Sequence, residues 1–550
     1  MMRSDIVKMY KDVHSWVGII AGLALFIAFY AGSITMFEEP LKRWASPPSE
    51  LAPAVSLAET PRLIEATLAA HPDAKSGYTI HIETGPEKPA RMSWTAWPEG
   101  RRRGAPTETY SSGFAADGSV EVVKGETTEV AEFIDVLHQQ VGLPFDHEIS
   151  MPIMGVISLL YAIAIFSGVI ALWPSLVKDL FALRLGKNLK RMWLDVHNVL
   201  GLFSLPFHVI MALTAIVFAF HDYFYGLQNI VSYDGKIRDM FEANEPLHHV
   251  EVDPNTPFLS PADLIERMKT NAPGFELIEL AYTFNRDGTA ELLARGVDEG
   301  YGHRGPTFGL AMLNPYTGEV MSAEYLPGRQ NGWGATVTGF FALHFGNFGG
   351  AAVRWGYFFL GLAGAFLFYT GNLLWIETRR KKSRQGAEVT QSRSSHVLGA
   401  LTVGVSLGCI AGISLTVASA KILPGLVENP AAWHSGVYYS VFVASVVWAF
   451  IRGAARGSVE LLIFAAVATG LIPIVSIASL VIPGLGWNHG GAGAIVDLTA
   501  ALGAGLMLFL AHKTSLRIKS APIDSIWHAA GASIEAPQVA PGVTTESAHG

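Results

Sequence analysis

The chain has 550 residues, of which 50% are hydrophobic and only 16% are Asp, Glu, Lys or Arg, well below the roughly 25% charged content of soluble domains. That balance, with a net charge of -8 and no long basic block, excludes a disordered chain, an ordinary soluble enzyme and a nucleic-acid binder. The single cysteine, Cys409, excludes internal disulfides, multi-thiolate zinc sites, Cys-ligated iron–sulfur clusters and covalently attached c-type haem, so metal chemistry has to rest mainly on His or carboxylates.

Eight apolar stretches reach the roughly 20 residues needed to cross a bilayer: 17–37, 152–173, 198–220, 355–376, 397–420, 431–451, 461–485 and 490–511. The first reads as an uncleaved anchor, because Glu38-Glu39-Pro40 follows it instead of a small-residue cleavage site. The short segments 1–16, 174–196, 377–395, 452–460 and 512–520 hold 19 of the 39 Lys and Arg. The positive-inside bias then puts both termini in the cytoplasm of a bacterial inner membrane, and segments 38–151 and 221–354 in the periplasm.

The chain divides in order into 1–37 with the first span, an outer domain 38–151, and 152–220 with two spans around a basic loop. A second outer domain, 221–354, is followed by 355–395 with the fourth span, 396–511 with four more, and a tail, 512–550, expected to be cytoplasmic and disordered. In the first outer domain 57–71 is helical, and 78–83, 91–97, 109–114 and 119–123 read as strands, with Asp117-Gly118 as a hairpin turn. The second repeats that order, with a helix at 260–271 and strands at 276–284, 290–294, 307–313 and 319–325. The predicted fold is an α-helical polytopic membrane protein of about eight transmembrane helices with two periplasmic α+β domains.

An internal repeat carries histidines. Asp12-Val13-His14 with Gly18 opens the first span, and Asp195-Val196-His197 with Gly201 opens the third. Each is followed by a span, an outer domain, a Leu-His pair (Leu137-His138, then Leu343-His344) and a second span ending in a basic loop. The duplication places His14 and His197 at one depth, and His138 and His344 near the opposite face. His208 lies inside the third span, eleven residues after His197, which on one continuous helix is about 16 Å of rise with both rings on the same face. Ionisable groups inside spans face the bundle interior and mark function. Bis-His ligation of b-type haem needs imidazoles from different helices at matching depth, and these histidines supply such pairs. Two haems need four of His14, His138, His197, His208 and His344.

These residues resemble the PepSY-associated transmembrane proteins. The resemblance rests on Asp-Val-His-x-x-x-Gly before a glycine-rich span, the turn Asn314-Pro315-Tyr316-Thr317-Gly318-Glu319-Val320, Leu-His before the next span, and Thr370-Gly371-Asn372-Leu373-Leu374-Trp375 before a basic cluster. It covers residues 1–385 and is similar to the branch of iron-regulated inner-membrane proteins that includes the FoxB-like ferrisiderophore reductases. It implies PepSY-like outer domains, two b-type haems on the five histidines above, and reduction of ferric siderophores in the periplasm. Reduction suits release, because the hard oxygen donors of a siderophore prefer Fe(III) to Fe(II). No dinucleotide-binding glycine motif follows a strand on the inner side, so a membrane quinol or a separate cytoplasmic reductase is the expected electron donor. The competing function is an inner-membrane transporter of iron, haem or siderophore without redox chemistry, for which eight spans and the in-span Asp497 speak. A third is an interaction or peptidase-regulating module on a passive anchor.

Weaker candidates are His434 and His489 at outer span ends, Arg101-Arg102-Arg103 as an anion attractor, and the aromatics Trp94, Trp97, Tyr110 and Trp333 as stacking surfaces.

Overall fold

The computed structural model describes residues 3–46, 51–85, 88–96, 108–125, 129–176, 184, 188–237, 256–284, 290–380, 391–424, 426–427, 429–482, 493–523 and 525–529. Trp97, Arg101 to Arg103, His489 and most of the tail lie outside the described residues.

The first half of the chain forms α1 (Ser4–Thr35), α2 (Glu38–Ala45), α3 (Thr60–Ala70), β1 (Gly77–His81), β2 (Met92–Ala96), β3 (Glu108–Phe114), β4 (Val120–Lys124), α4 (Val130–Gln139) and α5 (His147–Leu172). The second half repeats the order with α6 (Leu189–Phe203), α7 (Leu205–Val231), α8 (Pro261–Asn271), β5 (Glu276–Phe284), β6 (Ala290–Val297), β7 (Gly309–Leu313), β8 (Val320–Ser322), α9 (Gly332–Phe345) and α10 (Gly350–Thr378). Three further helices follow, α11 (Arg393–Ala420), α12 (Pro430–Val481) and α13 (Ala494–Ser520).

Among the described residues seven helices are long and apolar enough to cross a membrane: α1, α5, α7, α10, α11, α12 and α13. Helix α12 counts 52 residues, about 78 Å at 1.5 Å per residue, far beyond a hydrocarbon core of roughly 30 Å. It is interrupted at Gly453, whose φ of 72° and ψ of 164° are not helical. Across that point Arg452 pairs with Glu460 at 2.6 Å and the Trp448 indole donates to Glu460 at 2.8 Å, contacts that a straight helix cannot make. The chain therefore turns back at Gly453 into two arms, each of span length. The predicted third span also differs from expectation, because the helix breaks at Ser204 between α6 and α7 (φ -93°, ψ 7°). Pro206 lacks the N–H that would continue the ladder, so His197 and His208 stand on two successive helices, although both rings lie against α10, near Gly371 and Gly364.

The two outer segments form one sheet instead of two separate domains. Its strand order is β4-β3-β2-β1-β5-β6-β7-β8, antiparallel throughout. The halves meet where β1 pairs with β5, from Gly77 opposite Thr283 to His81 opposite Glu279. Alternating apolar residues on both strands face one shared core, in which Leu63, Ile80 and Met92 pack with Leu264, Leu280 and Leu292. Neither edge of that core is closed without the other half.

At the joint, Glu279 accepts from Arg295 at 2.5 Å and Lys88 at 3.3 Å, and lies 3.6 Å from the His81 ring. Burial alone would raise its carboxyl, but His81, Lys88 and Arg295 outweigh that and hold it down at about 2. The depressed value stabilises the sheet fully above the ordinary glutamate range and progressively less as pH falls through about 2. Glu279→Gln should therefore cost about 3 kcal/mol at neutral pH and remove that acid sensitivity. Far-UV circular dichroism melts between pH 7 and 2 measure both effects; an unchanged pH profile would contradict the ion cluster.

On the membrane side, α1, α5, α7 and α10 form one bundle around Ala21, Leu25, Tyr161 and Ala212. The helices α11 to α13 form a second. Helix α11 lies against the first arm of α12 through Gly404, Gly408 and Gly412, where a Cβ would come within 2.8 to 2.9 Å of Val446, Ser445 and Tyr438. Such small-residue spacing lets backbones approach closely where no hydrophobic drive separates helix from lipid. Phe26 and Ala31 of α1 share a core with Cys409 of α11 and Tyr438 of α12, joining the two bundles.

Candidate functional site: two facing histidine pairs

The fold brings four of the five candidate histidines together as two pairs. His14 on α1 faces His197 on α6, with ring centroids 6.0 Å apart and an interplanar angle of 70°. His138 on α4 faces His344 on α9, also at 6.0 Å, with an angle of 39°. Both α4 and α9 are short helices with the histidine in their last turn, and α4 packs against α1, α11 and α12. Helix α9 starts on the Asn331 side chain, which accepts from Gly334 N, and stops at Gly346 in the left-handed region (φ 61°). Helix α4 is followed by Val141 and Gly142 at φ 49° and 74°, so each short helix is cut off before the next span begins.

Each ring is fixed through Nδ1. His14 Nδ1 lies 2.8 Å from the Ala164 carbonyl and His138 Nδ1 lies 2.8 Å from the Ala28 carbonyl. A carbonyl only accepts, so both Nδ1 atoms carry the proton. In the second half the partners are hydroxyls, Thr370 Oγ1 for His197 at 3.3 Å and Thr214 Oγ1 for His344 at 2.7 Å. Both hydroxyl protons are committed elsewhere, Thr370 to the Leu367 carbonyl and Thr214 to the Ile210 carbonyl. Those oxygens therefore accept from Nδ1 as well. All four imidazoles are the Nδ1–H tautomer, with the Nε2 lone pair left for a ligand.

Glycines make room for three of the rings. A Cβ at Gly32 would lie 2.6 Å from His138 Nδ1, one at Gly168 2.9 Å from His14 Cε1, and one at Gly371 3.4 Å from His197 Cε1. Gly32 and Gly168 each stand one helical turn after the carbonyl that holds the ring. Gly371 stands one turn after Leu367, whose carbonyl orients Thr370. The two halves thus use one device, a carbonyl and a glycine four residues on.

Two imidazoles bound through nitrogen on opposite sides of one metal ion, at about 2.0–2.1 Å each, have centroids about 6.4 Å apart. The observed 6.0 Å fits that arrangement for both pairs. Among the described residues no cluster of three or more His, Cys, Asp or Glu gathers to hold a metal ion; each site offers two imidazoles, a donor set that would suit a haem iron. On α1, His14 is separated from the Ala28 and Gly32 contacts of His138 by fourteen to eighteen residues, about 21–27 Å along the helix. The two pairs therefore sit at different depths of one bundle.

His208 joins neither pair. Its Nδ1 lies 2.5 Å from the Tyr161 hydroxyl, and its Nε2 is buried without a partner. Phe29, Phe207 and Phe368 surround the ring, between the depths of the two pairs. Tyr161, Thr214 and the three glycines were not singled out by sequence reasoning. A polar residue within an apolar span is the signal available for Tyr161 and Thr214, and Thr370-Gly371 stood out only as part of a motif.

The remaining candidates have structural surroundings. Asp497 accepts from the Trp44 indole at 2.9 Å and from Ser476 at 2.9 Å, while Lys421 donates to Ser476 at 2.9 Å and lies over the Trp44 ring. That network ties α2 to the second bundle. His434 is fully buried in the second turn of α12, with neither ring nitrogen hydrogen-bonded. Trp94 is buried, stacked on Tyr110, and donates to Asp73. Among the described candidates Trp333 is well exposed, at 76%.

A multi-span helical bundle with paired histidines beneath an antiparallel sheet defines a polytopic membrane protein. The family model described as PepSY-associated TM region matches residues 12–378, and the chain belongs to that family. No curated protein matches the chain.

Tyr161→Phe leaves both nitrogens of a buried imidazole unpartnered and should cost about 1–3 kcal/mol, read as a lower melting temperature in detergent. Adding His208→Leu removes the other polar partner and should restore most of the loss. A double variant as unstable as Tyr161→Phe alone would contradict the isolated dyad.

Proposed function

We propose that the protein is an inner-membrane reductase with two b-type haems, one held by His14 and His197 and the other by His138 and His344. It reduces Fe(III) bound to a siderophore on the periplasmic side, where the sheet lies, and releases Fe(II) for uptake. The observation that carries this reading is the pair of matched imidazole pairs with all four Nε2 lone pairs free and all four Nδ1 atoms anchored. Haem supplies one-electron transfer without a proton or thiol requirement, and two at different depths suit passage across a bilayer.

The chain's own residues hold and orient. Ala164, Ala28, Thr370 and Thr214 keep each ring in one tautomer and one rotation. Gly32, Gly168 and Gly371 let the rings lie flush against neighbouring helices. Phe29, Phe207 and Phe368 fill the bundle between the two depths with apolar surface around the Tyr161–His208 dyad, excluding water there. Both termini lie in the cytoplasm in this reading, and a membrane quinol or a separate cytoplasmic reductase is the electron donor.

Purified protein expressed with ample haem should show a low-spin bis-His b-type spectrum at two haems per chain. His14→Ala or His197→Ala should remove one, and His138→Ala or His344→Ala the other, with reduction of a ferric chelate falling at least tenfold in each. His208→Leu should keep both haems, and Gly32→Val should lower occupancy of the site at His138 although no ligand is removed. A colourless protein, or a full haem count in the paired-histidine variants, would overturn the reading. In that event uptake of labelled substrate by vesicles without redox change would identify a transporter instead.

A further inference from the structure

Where the two membrane bundles meet, buried polar side chains fall on one line. On α11, Thr402, Ser406 and Cys409 stand four and three residues apart and so share one helix face. Asn372 of α10 donates to Thr402 Oγ1 at 3.1 Å, and Cys409 shares a core with Phe26 of α1, so that face looks into the seam between the bundles. On the first arm of α12, Tyr438 stands beside the Cys409 thiol, and His434 lies one turn nearer the start of the helix. All six side chains are at most 2% exposed.

A carboxylate stands at each end of the line. Glu377 lies in the last turn of α10. At the opposite end Glu132, on α4, acts on the His434 ring and pairs with Lys42 at 2.9 Å. The steps along the helices from Glu377 to Asn372, from Thr402 to Cys409 and from Tyr438 to His434 together rise about 24 Å, most of a hydrocarbon core of roughly 30 Å.

Four atoms on this line have no hydrogen-bond partner: Ser406 Oγ, the Tyr438 hydroxyl oxygen and both ring nitrogens of His434. Bare polar atoms are costly in an apolar core, and internal water is their usual partner. Off the line, Ser414 of the same helix is bonded to Thr469 at 2.8 Å. The six side chains carry no charge, so a metal or halide ion there would lose its hydration without a counter-charge. A proton passes by exchange. A hydroxyl or a water accepts on a lone pair and releases its own hydrogen, and an imidazole accepts at one nitrogen and releases from the other.

We propose that this seam is a water-linked proton path across the membrane, running between Glu377 and Glu132 through Ser406, Tyr438 and His434. One proton is taken up at one carboxylate for each released at the other, so the path is unchanged after each transfer. It does not depend on the haem sites; where the reductase reading holds, a proton accompanying each electron cancels the charge moved across the bilayer.

Full-length protein in liposomes, with a pH-sensitive dye inside and a potassium diffusion potential set by valinomycin, should carry protons at least tenfold faster than protein-free liposomes. Neither reductant nor iron chelate is present. His434→Phe and Tyr438→Phe should each lower the rate at least tenfold, and Ser414→Ala should leave it unchanged. Both aromatic variants remove unpartnered polar atoms, so neither should lower the melting temperature; if His434→Phe does not fold, Tyr438→Phe decides. A rate no higher than that of protein-free liposomes, an unchanged rate in both aromatic variants, or an equal loss in Ser414→Ala would overturn the proposal. A colourless protein that still conducts protons would sink the reductase reading alone, and a haem-loaded protein without proton flux would sink the path alone.

Discussion

A neutral imidazole inside a membrane bundle has one N–H and one lone pair, and in low dielectric neither is left unsatisfied without cost. The first bundle meets that requirement from opposite ends. Neighbouring helices take the Nδ1 proton of His14, His138, His197 and His344 through a carbonyl or a hydroxyl that is itself committed to a carbonyl. The four rings face each other two by two. Much else in the first 378 residues serves this arrangement. The glycines at 32, 168 and 371 let rings and helices touch, and the breaks at Ser204 and around Val141 and Gly346 free the short helices to turn their histidines inward.

The duplication acts at two levels. In the bundle it supplies equivalent ligands from equivalent helices, so each pair contains one histidine from each half. In the sheet it supplies two four-stranded halves whose β1 and β5 edges pair with each other. An exposed edge strand invites association with other chains, and joining the two edges removes that liability while fusing the cores. The same joint concentrates Arg295, Lys88 and His81 around Glu279. It therefore holds the two halves of the sheet together.

The second bundle has different packing. Its close contacts come from Gly404, Gly408 and Gly412 on α11, and Ser414 and Thr469 bond each other across it at 2.8 Å, while both ring nitrogens of His434 are buried without a partner. Trp44, Lys421, Ser476 and Asp497 bind it to the amphipathic α2 at the end of the first span. Asp497 is therefore part of a joint between bundles.

Composition and periodicity alone determined the membrane class, most of the helices, the strand positions to within a few residues and the repeated histidine motif. These depend on local patterns: apolar runs of span length, alternation in strands and short-range turn chemistry. Pairing was not local. His14 meets His197 across 183 residues, and nothing in either motif states which histidine it faces or that His208 is left with Tyr161. The single sheet was likewise hidden, because a β1 edge that pairs with its own repeat and one that faces solvent can carry the same alternation. The turn at Gly453 lay between two segments already read as spans, yet its direction depends on a positive φ that only the folded chain displays. Sequence thus determined which side chains are available at which depth; tertiary structure decided which ones meet, because hydrogen bonding and close packing between distant helices select the partners.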